Sequence, residues 1–259
     1  MSEARLPVSV CMICASEARR VRASLDSVAA WAGEIIVVLN DTVSDGTDTI
    51  AESFGAKVFR EPWKGFVAQK NSAADKCAQP WLLNLDADEV VTPSLQKEIA
   101  AVTTDSGAPY AAYQFPRCAF YCGRWIRHGD WYPDHVLRLW RRGSARWAGG
   151  QIHEQLQVNG RVGRLRSDLL HYTNENIERH ISKIAVYHAD FVKRRAASGR
   201  PSGFFEFVAR PPWRFFRAYI LRLGFLDGWQ GYYIARFSAF STLTKYAMLL
   251  EACRETPKI

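Results

Sequence analysis

Trp81-Leu82-Leu83-Asn84-Leu85-Asp86-Ala87-Asp88-Glu89 is apolar for most of its length and ends in three carboxylates within four positions. That pattern predicts a buried strand that delivers Asp86, Asp88 and Glu89 to its open end, where ligands bind in open α/β sheets. Acids this close repel one another, and a hard divalent cation such as Mg²⁺ or Mn²⁺ would relieve them and bind phosphates in turn. Taken alone, the stretch reads equally well as a solvated strand-to-turn junction, because two aspartates one residue apart are common.

The chain upstream repeats one theme. Val8–Cys14 is a continuous apolar run, as expected of a strand covered on both faces. A helix should follow, with Ser16 as N-cap, Val21, Leu25 and Val28 on its inner face, and Gly33 at its end. Glu34–Leu39 and Ala56–Phe59 read as the next strands, with helices from about Thr47 and over about Val67–Ala78. Strands and helices alternating at this spacing imply an α/β fold with a doubly wound, mostly parallel sheet. A dinucleotide-binding glycine pattern is missing after the first strand, and so is a P-loop.

Downstream, a helix is expected from Pro93, strands over Tyr110–Pro116 and Val136–Trp140, and a polar hairpin around Asn159-Gly160. Between the two strands lies an aromatic, polar stretch, residues 121–134, suited to line a cleft. From about Glu175 the pattern is helical, interrupted at Ser198–Gly203, with Pro211-Pro212-Trp213 expected to open a further helix. This organises the chain as a catalytic domain over 1–174 and a C-terminal helical extension over 175–259.

The chain carries a formal charge of +8, and Phe191–Arg222 holds eight Lys and Arg against Glu206 alone, nearly all of the excess. Aromatic residues interleave that segment, which suits an anionic membrane surface. No nucleic-acid module is recognisable, so nucleic acid is not an expected partner. With no signal-like N-terminus and no apolar run of spanning length, the expected location is cytoplasmic, peripheral on the inner face of the membrane. Cys11-Met-Ile-Cys14 has zinc-like spacing, but strand alternation would turn the two thiols to opposite faces.

On these residues the chain resembles the family 2 glycosyltransferases of GT-A fold, in particular bacterial lipopolysaccharide inner-core β-1,4-glucosyltransferases. The likeness rests on Glu61-Pro62-Trp63 with Gly65-Phe66 and Gln69-Lys70-Asn71, and on Leu85–Glu89. It extends to Gly129-x-Trp131-Tyr132-Pro133-Asp134, His153-Glu154 and Gly224–Trp229. The resemblance implies a metal-dependent, inverting transfer of a hexose, expected to be glucose from UDP-glucose, onto a lipid-linked core saccharide, expected to present a heptose. It implies Glu17, Asn40, Asp41, Lys70 and Asp86 as nucleotide-sugar contacts, with Asn40 where many relatives carry Asp. It implies Asp88, with Asp86 and His171, as ligands of the cation. Arg138 and Lys70 could pair with phosphate. An inverting transfer needs one general base, and the candidates are Glu154, which is favoured, Asp134 and Asp130. The alternatives are a transferase of another surface polysaccharide or glycolipid, nucleotidyl transfer, and a membrane-surface protein that only binds nucleotide sugars.

Overall fold

The computed structural model describes residues 5–105, 107–149, 154–174, 177–182, 184–197 and 204–254. In chain order the first elements are β1 (Leu6–Cys14), α1 (Val21–Ala29), β2 (Ala32–Asn40), α2 (Thr47–Ser53), β3 (Lys57–Glu61), α3 (Phe66–Asp75) and β4 (Trp81–Asn84). Then follow β5 (Glu89–Val91), α4 (Pro93–Thr104), β6 (Ala112–Tyr121), β7 (Arg124–Ile126), β8 (Asp134–Arg141), β9 (Ala145–Gly149), β10 (Glu154–Val158), β11 (Val162–Arg164) and β12 (Leu169–Asn174). The remainder is helical: α5 (Ile177–Ser182), α6 (Ile184–Ala197), α7 (Phe204–Phe216) and α8 (Gly228–Arg254).

The chain divides into two compact units, one of residues 1–117 and 134–171 and the other of 118–133 and 172–259. The aromatic stretch after β6 therefore groups with the C-terminal helices, whereas a division by sequence alone falls at residue 174. In the first unit the sheet runs β3-β2-β1-β4-β8-β6. The β1–β2, β1–β4 and β2–β3 pairs are parallel, and β4–β8 and β6–β8 are antiparallel. This is the mixed α/β architecture that alternating strands and helices dictate.

Burial follows the strand period. Val8, Val10, Met12 and Cys14 enter one core with Leu25, Val37, Leu83 and Leu95, while Cys11 joins Ile36, Val38, Leu82 and Trp140 in the other. Cys11 and Cys14 thus lie on opposite faces. Burial pushes the Cys14 thiol up, with Glu17 and Asp86 adding to the shift, which leaves it a poor metal ligand.

Several local expectations need correction. α1 starts only at Val21, and no side chain caps it. Gly33 ends no helix. It lies within β2, where a Cβ would stand 2.6 Å from the Leu6 carbonyl oxygen, so the close approach of β1 excludes any side chain. The Asn159-Gly160 hairpin does not form: β10 pairs with β9 and β11 pairs with β6. Pro211 and Pro212 sit inside α7 rather than at its start. The Ser198–Gly203 break and His153 lie outside the described residues.

One charged cluster ties β3 to α3. Glu61 accepts hydrogen bonds from Ser72, Lys64 and Lys76, with Lys76 Nζ at 2.5 Å. The Lys76, Lys64 and Ser72 bonds lower its pKa from 4.5 to about 2. A carboxyl with a depressed folded-state pKa adds stability above its unfolded value, and that stability is lost as pH falls through the folded value. Acid unfolding followed by circular dichroism should therefore show Glu61→Gln less stable than the parent by about 1 kcal/mol above pH 4.5. The gap should close on approach to pH 2, and a gap that widens there would exclude this origin.

Candidate active site

The ends of β1 and β2 and the turn after β4 meet in a cavity of ≈ 470 Å³. Ile13, Cys14, Ala15 and Glu17 reach it from the end of β1 and the loop beyond, Asn40 from the end of β2, and Asp86, Ala87 and Asp88 from the turn after β4. Trp63, Phe66 and Lys70 contribute from α3 and the loop before it, and Glu154 from the start of β10.

The turn that carries the acids is pinned through its backbone. Leu85 N–H donates to the Cys11 carbonyl (3.1 Å), and Glu89 N–H to that of Asp86 (3.0 Å). Asp86 N–H donates to the Glu89 carboxylate at 3.0 Å. Glu89 is fully buried and is held by Arg138 at 2.8 Å and Arg117 at 3.3 Å. Arg138 also donates to Asp86 at 2.5 Å, and Lys70 Nζ lies 3.7 Å from the other Asp86 oxygen. Burial alone would raise the Asp86 carboxyl, but Arg138 and Lys70 hold it well below the usual carboxylate range. Arg138 is likewise held firmly protonated, because Asp86 and Glu89 outweigh the desolvation that would lower it. Arg138 is thus an internal brace and not a free phosphate contact.

Lys70 is buried beneath the cavity floor. Its ammonium makes a 3.1 Å bond to Glu154 and stands 4.6 Å from the centre of the Trp147 ring. The residues beside it fix this placement. Asn71 clasps the Trp147 backbone with two hydrogen bonds (2.9 and 3.0 Å), and Gln69 accepts the Lys64 N–H at 3.3 Å. Because β9 pairs with β10, the clasp also places Glu154.

Asp88 has a different environment. Its carboxylate lies 3.5 Å from His171 Nε2, because β12 runs antiparallel to β5 and sets His171 directly opposite Glu89. Pairing across the sheet thereby joins residues 83 positions apart in the sequence. Among the described residues no group of three His, Cys, Asp or Glu has metal-binding geometry. Asp88 supplies a carboxylate of the kind Mg²⁺ or Mn²⁺ takes when phosphate and water complete the shell, and the His171 imidazole, a ligand that softer metals favour, lies beside it.

Three expected site residues lie elsewhere. Asp41 is exposed and is not among the residues lining the cavity. Asp134 is paired with Arg117, whose Nε and Nη2 approach one of its oxygens at 3.0 and 2.7 Å. Asp130 belongs to the second unit and is bound to Arg214, Arg217 and Arg222. Conversely, Arg138 and Arg117 as carboxylate partners and the Lys70–Glu154 bond are absent from the sequence reading. Trp63, in the loop before α3, and Phe66, its first residue, stand edge to face 4.9 Å apart in the cavity wall.

The family model described as Glycosyl transferase family 2 matches residues 9–160, more than half of the chain. The chain belongs to glycosyl transferase family 2. Among its relatives is the Rhizobium meliloti protein named lipopolysaccharide core biosynthesis glycosyltransferase LpsC, 28% identical over 96% of this chain and 92% of that protein. An uncharacterized glycosyltransferase of Rickettsia prowazekii is 29% identical over 93% and 86%. The fold is similar to that of S. aureus TarS in complex with UDP-GlcNAc, with a TM-score of 0.52 and 14% identity over 96% of this chain and 91% of that one. It is also similar to a Pyrobaculum calidifontis mannosyltransferase in complex with GDP-Man and Mn²⁺, with a TM-score of 0.51 and 15% identity over 100% and 78%. This family 2 chain has the GT-A architecture, with its cavity at the carboxyl edge of the parallel strands.

Proposed function

We propose that this glycosyltransferase moves a hexose, with inversion, from a nucleoside-diphosphate donor to a lipid-linked core saccharide. The carrying observation is the cavity itself, which gathers Glu17, Asn40, Lys70, Asp86, Asp88 and Glu154 at the carboxyl ends of β1, β2 and β4. Asn40 and Glu17 present hydrogen-bonding groups to a nucleoside, and Trp63 and Phe66 offer flat apolar faces to a base or a sugar. UDP-glucose is the proposed donor. A lipopolysaccharide core acceptor is supported by the name of the LpsC relative.

In this reading Glu154 removes the proton of the acceptor hydroxyl, the new C–O bond forms on the face opposite the leaving group, and the nucleoside diphosphate departs with the electron pair. Asp88 and His171 would hold a divalent cation, which offsets the charge growing on the diphosphate. Lys70 holds Glu154 and Asp86 in one geometry. Asp86, committed to Arg138 and Lys70, shapes the site and leaves cation binding to its neighbour.

A membrane-surface location is part of the proposal. No helix among the described residues is long and apolar enough to cross a membrane, yet the second unit exposes Phe204, Phe205, Trp213, Phe216 and Trp229 beside a basic segment. That combination supports adsorption to an anionic leaflet.

Thermal unfolding tests the donor and the cation together. UDP-glucose with Mn²⁺ at a hundredfold excess over Kd should stabilise the protein by about 2.7 kcal/mol. Asp88→Asn should remove the Mn²⁺-dependent part of the shift. A variant that keeps it would move the cation elsewhere, and no shift with any UDP, GDP or dTDP sugar would sink the donor reading.

A further inference from the structure

Asp130 occupies the 3-10 turn Gly129–Trp131 of the second unit, and its side chain is only 2% exposed. Arg214 Nε lies 2.7 Å and Arg217 Nη2 2.8 Å from one carboxylate oxygen, and Arg222 Nη1 lies 3.2 Å from the other. The backbone locks the group together: Gly129 N–H donates to the Arg222 carbonyl, and Arg222 N–H to that of Arg217. Three guanidiniums around one carboxylate leave a net charge of +2. They also bring about fifteen N–H donors to roughly four acceptor positions. The arginines repel one another, and burial together with Arg217 and Arg222 lowers the Arg214 pKa despite Asp130. The next acid after Arg222 in the sequence, Asp227, is already bound to His128 and to the Arg127 and His128 N–H groups.

The three arginine side chains remain partly open to solvent, at 41%, 34% and 51% exposed. What surrounds them on the same segment is inverted relative to an ordinary surface helix. Pro211 and Ala218 are buried, and the outward positions are apolar: Trp213, Phe216, Ile220, Leu221 and Leu223. Exposed apolar side chains interleaved with basic ones suit a membrane contact, and guanidiniums gathered at one point bind phosphate oxygens in fork geometry.

We propose that Arg214, Arg217 and Arg222, gathered on Asp130, form a binding site for a lipid-borne phosphate group, with the surrounding apolar side chains entering the leaflet. The site deepens the membrane-surface part of the function proposed above and rests on it. Asp130 acts as the scaffold that keeps the three side chains converged, a role distinct from proton abstraction.

Vesicle flotation of the full chain tests it at near-physiological salt, with phosphatidylcholine alone and with added phosphatidate. The parent should float with phosphatidate, and Arg222→Gln, which removes the most exposed partner, should weaken binding several-fold. The triple change Arg214→Gln, Arg217→Gln, Arg222→Gln should weaken it at least tenfold, with unfolding temperature checked for each variant. The charge control Lys193→Gln with Arg194→Gln, in α6, should lose much less. Equal loss in that control means diffuse basic charge and overturns the site. Free inorganic phosphate should not raise the parent's unfolding temperature, and a rise without flotation would replace the lipid by a soluble phosphate. A parent that never floats removes the membrane reading itself, whereas a floating parent matched by the arginine variants removes only this site.

Discussion

Arg138→Met should cost about 3–5 kcal/mol of stability, read as a drop in the urea midpoint at neutral pH. The size follows from what is left behind. Among the described residues, Glu89, which is fully buried, would retain only Arg117 as a cationic partner, at 3.3 Å, and Asp86 only Lys70, at 3.7 Å. Removing one member of a buried ion pair strands charge in a medium that solvates it poorly, which costs more than the pair itself contributes. The companion change Glu89→Gln, made together with Arg138→Met, should recover part of the loss, because it removes the stranded charge; additive losses would argue against this origin. The pH dependence has a fixed sign. The Asp86 carboxyl titrates well below its ordinary 3.8 in the parent, so its stabilising contribution is complete above that value and fades as pH falls. The gap between parent and Arg138→Met should therefore narrow in acid. A loss below about 1 kcal/mol would mean that Arg138 is not the brace described here.

The same network shows what the sequence could and could not disclose. Strands and helices up to β4 were legible because each obeys a local rule: two-sided burial for β1 and β2, and helical spacing for α1. The acids after β4 were legible as a cluster because they sit at the end of an apolar run. Their division of labour was not. Asp86 and Asp88 look equivalent in sequence, and only long-range pairing separates them, since β8 brings Arg138 to one and β12 brings His171 to the other. Gly33 misled as a helix stop because the carbonyl of Leu6 that forbids its side chain belongs to another strand. The Asn159-Gly160 pair likewise carries a strong local turn signal, yet β10 and β11 take β9 and β6 as partners. Asp130 stood among the candidate bases within the resemblance, and the three arginines that hold it lie 84, 87 and 92 positions away, out of reach of local reading.

Glu154→Gln should reduce transfer by about 10²-fold or more while leaving donor affinity nearly unchanged. Two carboxylates of the first unit compete for the role of base, and their surroundings favour one. Glu154 lines the cavity, and Lys70 donates a 3.1 Å bond to one of its two oxygens. Asp134 is absent from the cavity lining and accepts two bonds from Arg117. A carboxylate oxygen held by two guanidinium N–H groups is oriented toward its partner, so Asp134→Asn should lower turnover by less than about tenfold. Lys70→Met supplies the discriminating measurement. If Lys70 positions Glu154 for the acceptor hydroxyl, Lys70→Met should lower turnover much more than it weakens donor binding. A lysine that only braces the fold would lower the unfolding temperature and leave the turnover of the folded enzyme in place. Should Glu154→Gln turn over like the parent while Asp134→Asn loses 10²-fold, the base is Asp134, and the bond from Lys70 to Glu154 serves only to hold β10 against α3.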